Sequence, residues 1–588
     1  MNIKTILGIA LTAGSLASCS VEDNDTVAEK VNEDYTRNFV KLFGTINPNQ
    51  DWSVVEQKSV SVDLPQASHV QIFEKQGDEF RLAADYQNVT KQTITFDGME
   101  GDNTPFLVFV DDAAYAVENG GTLTVGSAAA AKSGPMRAKK YSDDISWINR
   151  GNKKRISLST TDVTMQVLAT NNGKNTAKSQ GTVTEIAAGN RGLISQGNPI
   201  SFYPLYWNSK KNHIAGIYYN DASTGKRVHI PMYADKTDSY IDDADKEDLS
   251  FYTIKHPSTD LTAVAVQTDA EDCWHYANTS TSWIYDNSWD VEYYSGFTFR
   301  SRPYTITPTT NLAAGIYVEV DGKIYYSDAT LNNGKNFFAE KTVNNGDGTD
   351  ATYTYICFDD PDDNGNEGDK DYNDLVLYTP QKMTPVTHDE TEWTIACEDL
   401  GGTFDYDFND IVFRVRHTAG NDYAILIPVA AGGTLPAQLF YNEKAISDEW
   451  HSYFGNGYES DVMINTGKGP EVHTVKTIRL NKLSTDWSIS AFSKQANGLK
   501  IKVKRADGTI ATVTGPEKGS APQMLILPYD WQWPVELTRI TTAYPDFGTW
   551  GENYTINTWV NNKDAKSLIS GFGENEITAN GQKEEDAE

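Results

Sequence analysis

With 81 acidic against 50 basic residues, this chain of 588 residues carries a net charge of −31. Such a surface repels a phosphate backbone and excludes nucleic acid as a natural partner. Its length calls for several domains rather than one core, and its 13 Trp, 31 Tyr and 22 Phe with abundant Thr and Gly favour strands and turns over long helices.

The amino terminus reads as a processing signal. Lys4 precedes the apolar run Ile6 to Leu16, which is too short to span a bilayer and fits a signal-peptide core. The run ends in Leu16-Ala17-Ser18-Cys19, which resembles the lipobox of bacterial lipoproteins. That resemblance implies removal of residues 1–18 and acylation of Cys19, and several acyl chains together give stable attachment to a membrane. Ser20, Glu22, Asp23 and Asp25 follow and resemble the acidic export signal of Bacteroidetes-type lipoproteins. The expected location is therefore the outer membrane, lipid-anchored and surface-exposed; a plain acidic spacer is the alternative. No later segment approaches 18 uninterrupted apolar residues, so the lipid is the expected membrane contact.

Residues 19–50 are expected to form a lipidated tether and one short helix. Val27, Val31, Tyr35, Phe39 and Leu42 fall at helical spacing and Gly44 is a natural stop. This segment would set the modules away from the membrane. Period-two alternation over Ser59–Leu64 and Thr93–Phe96, with the apolar run Phe106–Val110, predicts a β-sandwich over 51–135. Residues 136–194, with the basic Lys153, Lys154 and Arg155, read as a linker with connecting strands. Strand signals resume at Phe202–Trp207, Gly216–Tyr219 and Gly315–Val318, predicting a further β domain over 195–385 and another over 386–588. The fold class expected is all-β: tandem β-sandwich modules, Ig-like or jelly-roll-like, with one short N-terminal helix.

An internal repeat is the most informative feature. Cys357-Phe358-Asp359-Asp360 leads through an acidic loop to Asp369-Lys370-Asp371-Tyr372-Asn373-Asp374-Leu375-Val376-Leu377. Cys397-Glu398-Asp399-Leu400 leads through a shorter loop to Asp405-Tyr406-Asp407-Phe408-Asn409-Asp410-Ile411-Val412-Phe413. Alternate residues of Asp-x-Asp-x-Asn reach one side while the aromatic reaches the other. Carboxylates gathered this densely repel one another unless a cation joins them, and Ca²⁺ takes six to eight oxygens. The candidate ligands are Asp369, Asp371, Asn373 and Asp374, and Asp405, Asp407, Asn409 and Asp410, with Asp359 and Asp399 closing each shell. The sixth residue of neither copy is Gly, so neither is an EF-hand. Asp360, Asp362, Asn364 and Gly365, with Asp371 twelfth, form a partial EF-type loop lacking the bidentate Glu. A metal-free acidic turn is the competing reading.

These strings, with Tyr325-Tyr326-Ser327-Asp328, Leu331-Asn332, Met463–Gly467 and Ala543–Trp550, resemble LruC-domain surface lipoproteins over roughly 195–588. The resemblance implies modules of unknown or calcium-binding function and no settled activity. The insertion 361–368, absent from the second copy, puts equal metal affinity of the two sites in doubt.

Cys357 and Cys397 occupy matching points of the repeats and either pair as a disulfide in an oxidising exterior or end their strands as small buried hydrophobes. No His-Glu-x-x-His, Gly-x-Ser-x-Gly or phosphate-loop motif occurs, so no residue is assigned a catalytic role. The expected function is that of a non-enzymatic binding or adhesion protein braced by Ca²⁺, with an extracellular glycan or protein as partner. Alternatives are a glycan-binding or glycan-degrading lipoprotein, using Trp274, Trp283, Trp289, Trp531 or Trp533, and a structural component of a surface polymer.

Overall fold

The computed structural model describes residues 24–126 and, with breaks, 184–344, 352–379 and 386–580. Cys19 and Cys273 lie outside the described residues. The chain is mostly strands, gathered in several sheets with a few short helices, and is all-β as its composition predicts.

The one long helix among the described residues, α1, spans Asn24–Phe43. Tyr35, Phe39 and Phe43 repeat every four residues and so line one face. Gly44, at φ +92, donates to Val40 O at 3.0 Å and closes the helix. Leu42, expected on the apolar stripe, is exposed instead, and Phe43 takes its place. The helix is not a spacer. Tyr35 and Phe39 are fully buried in the core of the C-terminal module, against Trp52, Tyr406 and Phe547. Tyr35 Oη donates to Pro522 O at 2.6 Å. The stretch that follows is hooked to the same module. Gln50 Nε2 donates to Trp550 O at 2.6 Å, and Val54 N and Ile526 N bond across to Ile526 O and Trp52 O.

The sandwich expected over 51–135 is built from one bent sheet. Strands β1 (Val55–Gln76) and β2 (Glu79–Met99) form a long hairpin, whose register breaks between Asp63 and Ser68. Such breaks bend a ladder and increase its twist. β3 (Phe106–Val110) and β4 (Ala113–Val117) extend the sheet beyond β1, and β5 (Thr122–Thr124) adds to β1 in parallel. Val60, Val62, Val70, Ile72, Ile94 and Phe96 share its inner core. The strand Val386–Glu390, from far along the chain, pairs in parallel with β2.

The middle module is a two-sheet sandwich. Ile217 and Ile316 of one sheet share a core with Phe202, Ile356 and Leu377 of the other. In the C-terminal module a five-stranded sheet, including Glu392–Cys397, Ile411–Arg416, Tyr423–Ala430 and Met524–Pro528, packs with a four-stranded one around the largest core. Trp450, Trp550 and Trp559 are fully buried there. Among the described residues no helix is long and apolar enough to cross a membrane.

Because Phe39 is enclosed by rings on several sides, Phe39→Ala is expected to destabilise the C-terminal module by about 3–5 kcal/mol. A lower urea midpoint read by tryptophan fluorescence checks this, and an unchanged midpoint means that α1 is not part of that core.

Candidate metal centre

The second acidic motif is the turn joining Glu392–Cys397 to Ile411–Arg416. It is not a simple extended strand. Phe404, Tyr406 and Phe408 all adopt positive φ, at 35°, 56° and 54°. Left-handed conformations are uncommon for bulky residues, and here every second residue has one. The result is a sorted loop: Tyr406 and Phe408 are fully buried among aromatic rings, and Asp405, Asp407 and Asn409 carry the polar side.

Glu398, Asp405 and Asp407 each bring an oxygen to within 4.8 Å of the others. Twice a Ca²⁺–O distance of 2.3–2.6 Å is about 5 Å, so this spacing suits one ion among them. Asp399 and Asp410 border the group, and Glu536 joins it from a distant loop. Several of these carboxylates also fix the backbone. Glu398 Oε1 accepts from Phe408 N at 2.7 Å, and Asp410 Oδ2 accepts from Asp399 N at 2.8 Å. Asp407 Oδ2 accepts from Leu537 N and from Asn409 Nδ2, both at 2.9 Å.

Asn409 is fully buried. Its Nδ2 donates to Asp407 Oδ2 and also to Pro534 O, at 3.1 Å, which fixes the amide orientation. Its Oδ1 is then left buried with no hydrogen-bond donor, as is Glu536 Oε2. A methyl group on Gly432 would stand 2.1 Å from that Oδ1 and 2.9 Å from Glu536 Oε2, so only glycine fits there.

Burial and mutual repulsion disfavour the charged forms. Burial, then Asp405 and Glu536, push the Asp407 carboxyl up to about 8. Burial and then Asp405 push Glu536 up to about 7. Glu398 and Asp410 are driven well above the usual carboxylate range, burial being the larger cause in both. Asp399 and Asp405 are raised for the same reason, with Arg505 opposing at Asp399 and Lys468 and Arg539 at Asp405.

Two of these acids escape a reading based on the motif. Matching the cysteines puts Glu398 opposite Phe358, but the ladders offset the copies by one residue there. Phe358 pairs with Leu375, whereas it is Cys397 that pairs with Ile411. Asp359 therefore corresponds to Glu398, and Asp360 to Asp399. Hydrogen bonds agree, since Asp374 Oδ2 accepts from Asp360 N at 2.6 Å. Glu536 carries no local signal at all.

Of the first motif, Asp369, Asp371 and Asn373 lie outside the described residues. Lys370 and Tyr372 have the same positive φ as Tyr406 and Phe408, at 61° and 53°. Both hairpins also break register at one place: Val376 and Leu377 face Tyr206 and Pro204, and Val412 and Phe413 face Ala430 and Pro428. In the partial EF-type loop Asp371 lies outside the described residues, and the described part is held by its own hydrogen bonds. Asp362 accepts from Asn364 N, Asn366 N and Asn366 Nδ2, at 2.9, 2.7 and 3.1 Å, so Asp362 and Asn364 make a local turn. Asp360 bonds His213 Nε2 at 2.6 Å, and Asp359 Oδ2 accepts from Gly368 N at 3.0 Å. Lys335 Nζ donates to Gly365 O and Asn366 Oδ1, and Lys211 Nζ to Pro361 O, so ammonium groups border this loop.

Cys357 and Cys397 do not form the disulfide. Both are buried, in strands of different sheets. Trp531 and Trp533 are buried and offer no sugar platform. The side chains of Trp274, Trp283 and Trp289 lie outside the described residues.

No family model matches the sequence, and no curated protein matches it. The LruC resemblance thus stands on its motif strings alone. Among solved structures, a chain described as a "Putative lipoprotein from Bacteroides ovatus" is similar at 14% identity and a TM-score of 0.22, over 40% of this chain and 90% of that one. That overlap is too low to denote a common fold.

The raised carboxyls give a definite pH dependence in chelator. Their folded pKa values exceed the unfolded ones, so the folded state binds the extra protons. Their favourable contribution is complete below about pH 4 and is lost as pH rises through about 7 and 8. The urea midpoint of the parent is therefore expected to fall from pH 5 to pH 8 more steeply than that of the Asp407→Asn, Glu536→Gln double variant. Parallel profiles contradict this electrostatic picture.

Proposed function

We propose that this chain is a surface lipoprotein, anchored through Cys19, whose C-terminal module is braced by Ca²⁺ and which serves as a non-enzymatic binding or adhesion protein. The observation that carries the calcium reading is the convergence of Glu398, Asp405 and Asp407 within 4.8 Å beside the donorless Oδ1 of Asn409. An all-oxygen set with buried carboxylates favours a hard cation, and its irregular arrangement suits Ca²⁺ better than the near-octahedral Mg²⁺. The ion would offset the repulsion and hold the turn between its two strands. The first motif is expected to act alike through Asp369, Asp371 and Asn373.

The same geometry weighs against glycan hydrolysis. That chemistry sets two carboxyl groups about 5–9.5 Å apart with room for the sugar and water. Here the acids crowd closer and are largely buried. A sugar-binding row of indoles also lacks support, because every tryptophan whose side chain is described is buried.

Thermal unfolding of the mature chain with excess Ca²⁺ and with a chelator tests the reading. At about a hundred times its dissociation constant, Ca²⁺ adds roughly 2.7 kcal/mol, or about 5–10 °C for a module near 200 residues. Glu398→Gln and Asp407→Asn should abolish the shift of the C-terminal module, and Asp371→Ala any shift of the middle one. No shift in the parent overturns the calcium reading. For the anchor, Cys19→Ala is expected to move the protein from the membrane fraction to the soluble one; a variant that stays with membranes refutes lipid anchoring at Cys19.

A further inference from the structure

Resting on the calcium reading, we infer that the acidic site is a clamp for α1: occupancy by the cation holds the anchor-proximal helix on the C-terminal module, and its loss loosens the helix. The link is Tyr406, which stands in sequence between Asp405 and Asp407. Its ring lies 4.9 Å from Tyr35, 5.5 Å from Phe39 and 5.4 Å from Phe43, touching three successive turns of the helix. Its Oη donates to Tyr35 O at 2.8 Å. Phe404, one step before Asp405, packs edge-on against Tyr35 at 5.4 Å. The residues that face α1 therefore alternate with the residues that face the cation, on a backbone bent into left-handed conformations at Phe404, Tyr406 and Phe408. Such a turn cannot move its carboxylates apart without moving its rings.

The acidic cluster is not the only sign of a ligand. The buried Oδ1 of Asn409, inside the same turn, has no donor and faces Glu536 Oε2 across Gly432. Without a cation, repulsion among Glu398, Asp405 and Asp407 acts directly on the two peptide units that carry Tyr406. Other contacts of α1, among them those of Phe39 with Trp52 and of Tyr35 with Pro522, do not pass through the turn, so the helix is loosened rather than expelled.

The consequence concerns reach. On a chain acylated at Cys19, a docked α1 begins five residues, about 17 Å of extended chain, from the anchor. A loosened helix lets the tether lengthen beyond those five residues. External calcium would then set how far the modules stand from the membrane.

Coupling is reciprocal: if the cation favours docking, docking favours the cation by the same factor. Calorimetric Ca²⁺ titration of the mature chain and of Phe39→Ala, with near-ultraviolet circular dichroism confirming that the variant is folded, measures one direction. Hydrogen exchange of the parent in Ca²⁺ and in chelator measures the other without any substitution. The expected result is an affinity at least about 5-fold weaker in Phe39→Ala, and faster exchange over residues 35–43 in chelator while the strand Tyr423–Ala430 stays protected. Calcium binding with unchanged affinity in the variant and unchanged exchange in α1 overturns the clamp and leaves the calcium reading standing. So does equal deprotection of helix and strand, which means general loosening. A parent that binds no Ca²⁺ removes both.

Discussion

Like charges with little water between them are the constraint on which the C-terminal module depends. Two unit charges 4 Å apart repel by about 4 kcal/mol at an effective dielectric near 20, and Glu398, Asp405 and Asp407 bring oxygens within 4.8 Å while Asp399, Asp410 and Glu536 press from around them. Lys468, Arg505 and Arg539 oppose this only from the periphery, and Arg505 spends its Nε on Leu400 O at 3.1 Å. Protons or a cation must make up the difference. Protons suffice in acid; near neutrality the proposed Ca²⁺ would supply the charge.

The backbone of the turn answers a second demand, that acids and rings alternate yet face opposite ways. A flat strand also separates alternate residues, but leaves its two ends apart. Left-handed residues at Phe404, Tyr406 and Phe408 curl the segment so that Asp405 and Asp407 converge with Glu398. Each such residue costs on the order of 1–3 kcal/mol. What offsets that cost is burial of Tyr406 and Phe408 among Phe39, Phe43 and Phe547, each large side chain contributing about 1.5–3 kcal/mol. Helix α1 is thus part of the reason the acidic turn has its shape.

Where period or spacing carries the information, the sequence was readable. Alternation over Ser59–Leu64 placed strand β1, the stripe through Tyr35 and Phe39 placed α1, and the repeated Asp-x-Asp-aromatic-Asn-Asp string marked both acidic hairpins. What α1 packs against was not readable, because its partners Tyr406 and Phe547 lie hundreds of residues on and periodicity names a face, not its occupant. Glu536 was invisible for the same reason. The misaligned cysteines have another cause. Strand residues alternate faces, so a one-residue offset reverses a side chain's surroundings, and only the ladder partners Leu375 and Ile411 reveal that Glu398 matches Asp359. The acidic density of the insertion 361–368 was legible, but the lysines that bond its backbone are distant in sequence and were not.

The two hairpins share a frame and differ in their loops. Each has a bulge facing a proline, Pro204 or Pro428, and each closes its turn with an Asp, Asp374 or Asp410, that accepts from the backbone of the preceding strand's end. In the first, Lys211 and Lys335 reach the loop oxygens and Asp360 is tied to His213. An ammonium on a flexible stem brings its own charge to that loop. In the second the loop is shorter, lysines stay outside, and a further acid, Glu536, enters. On the calcium reading proposed above, the charge missing there comes from solution, which would make the stability of that turn, and of the helix laid on it, a function of the surrounding medium as well as of the chain.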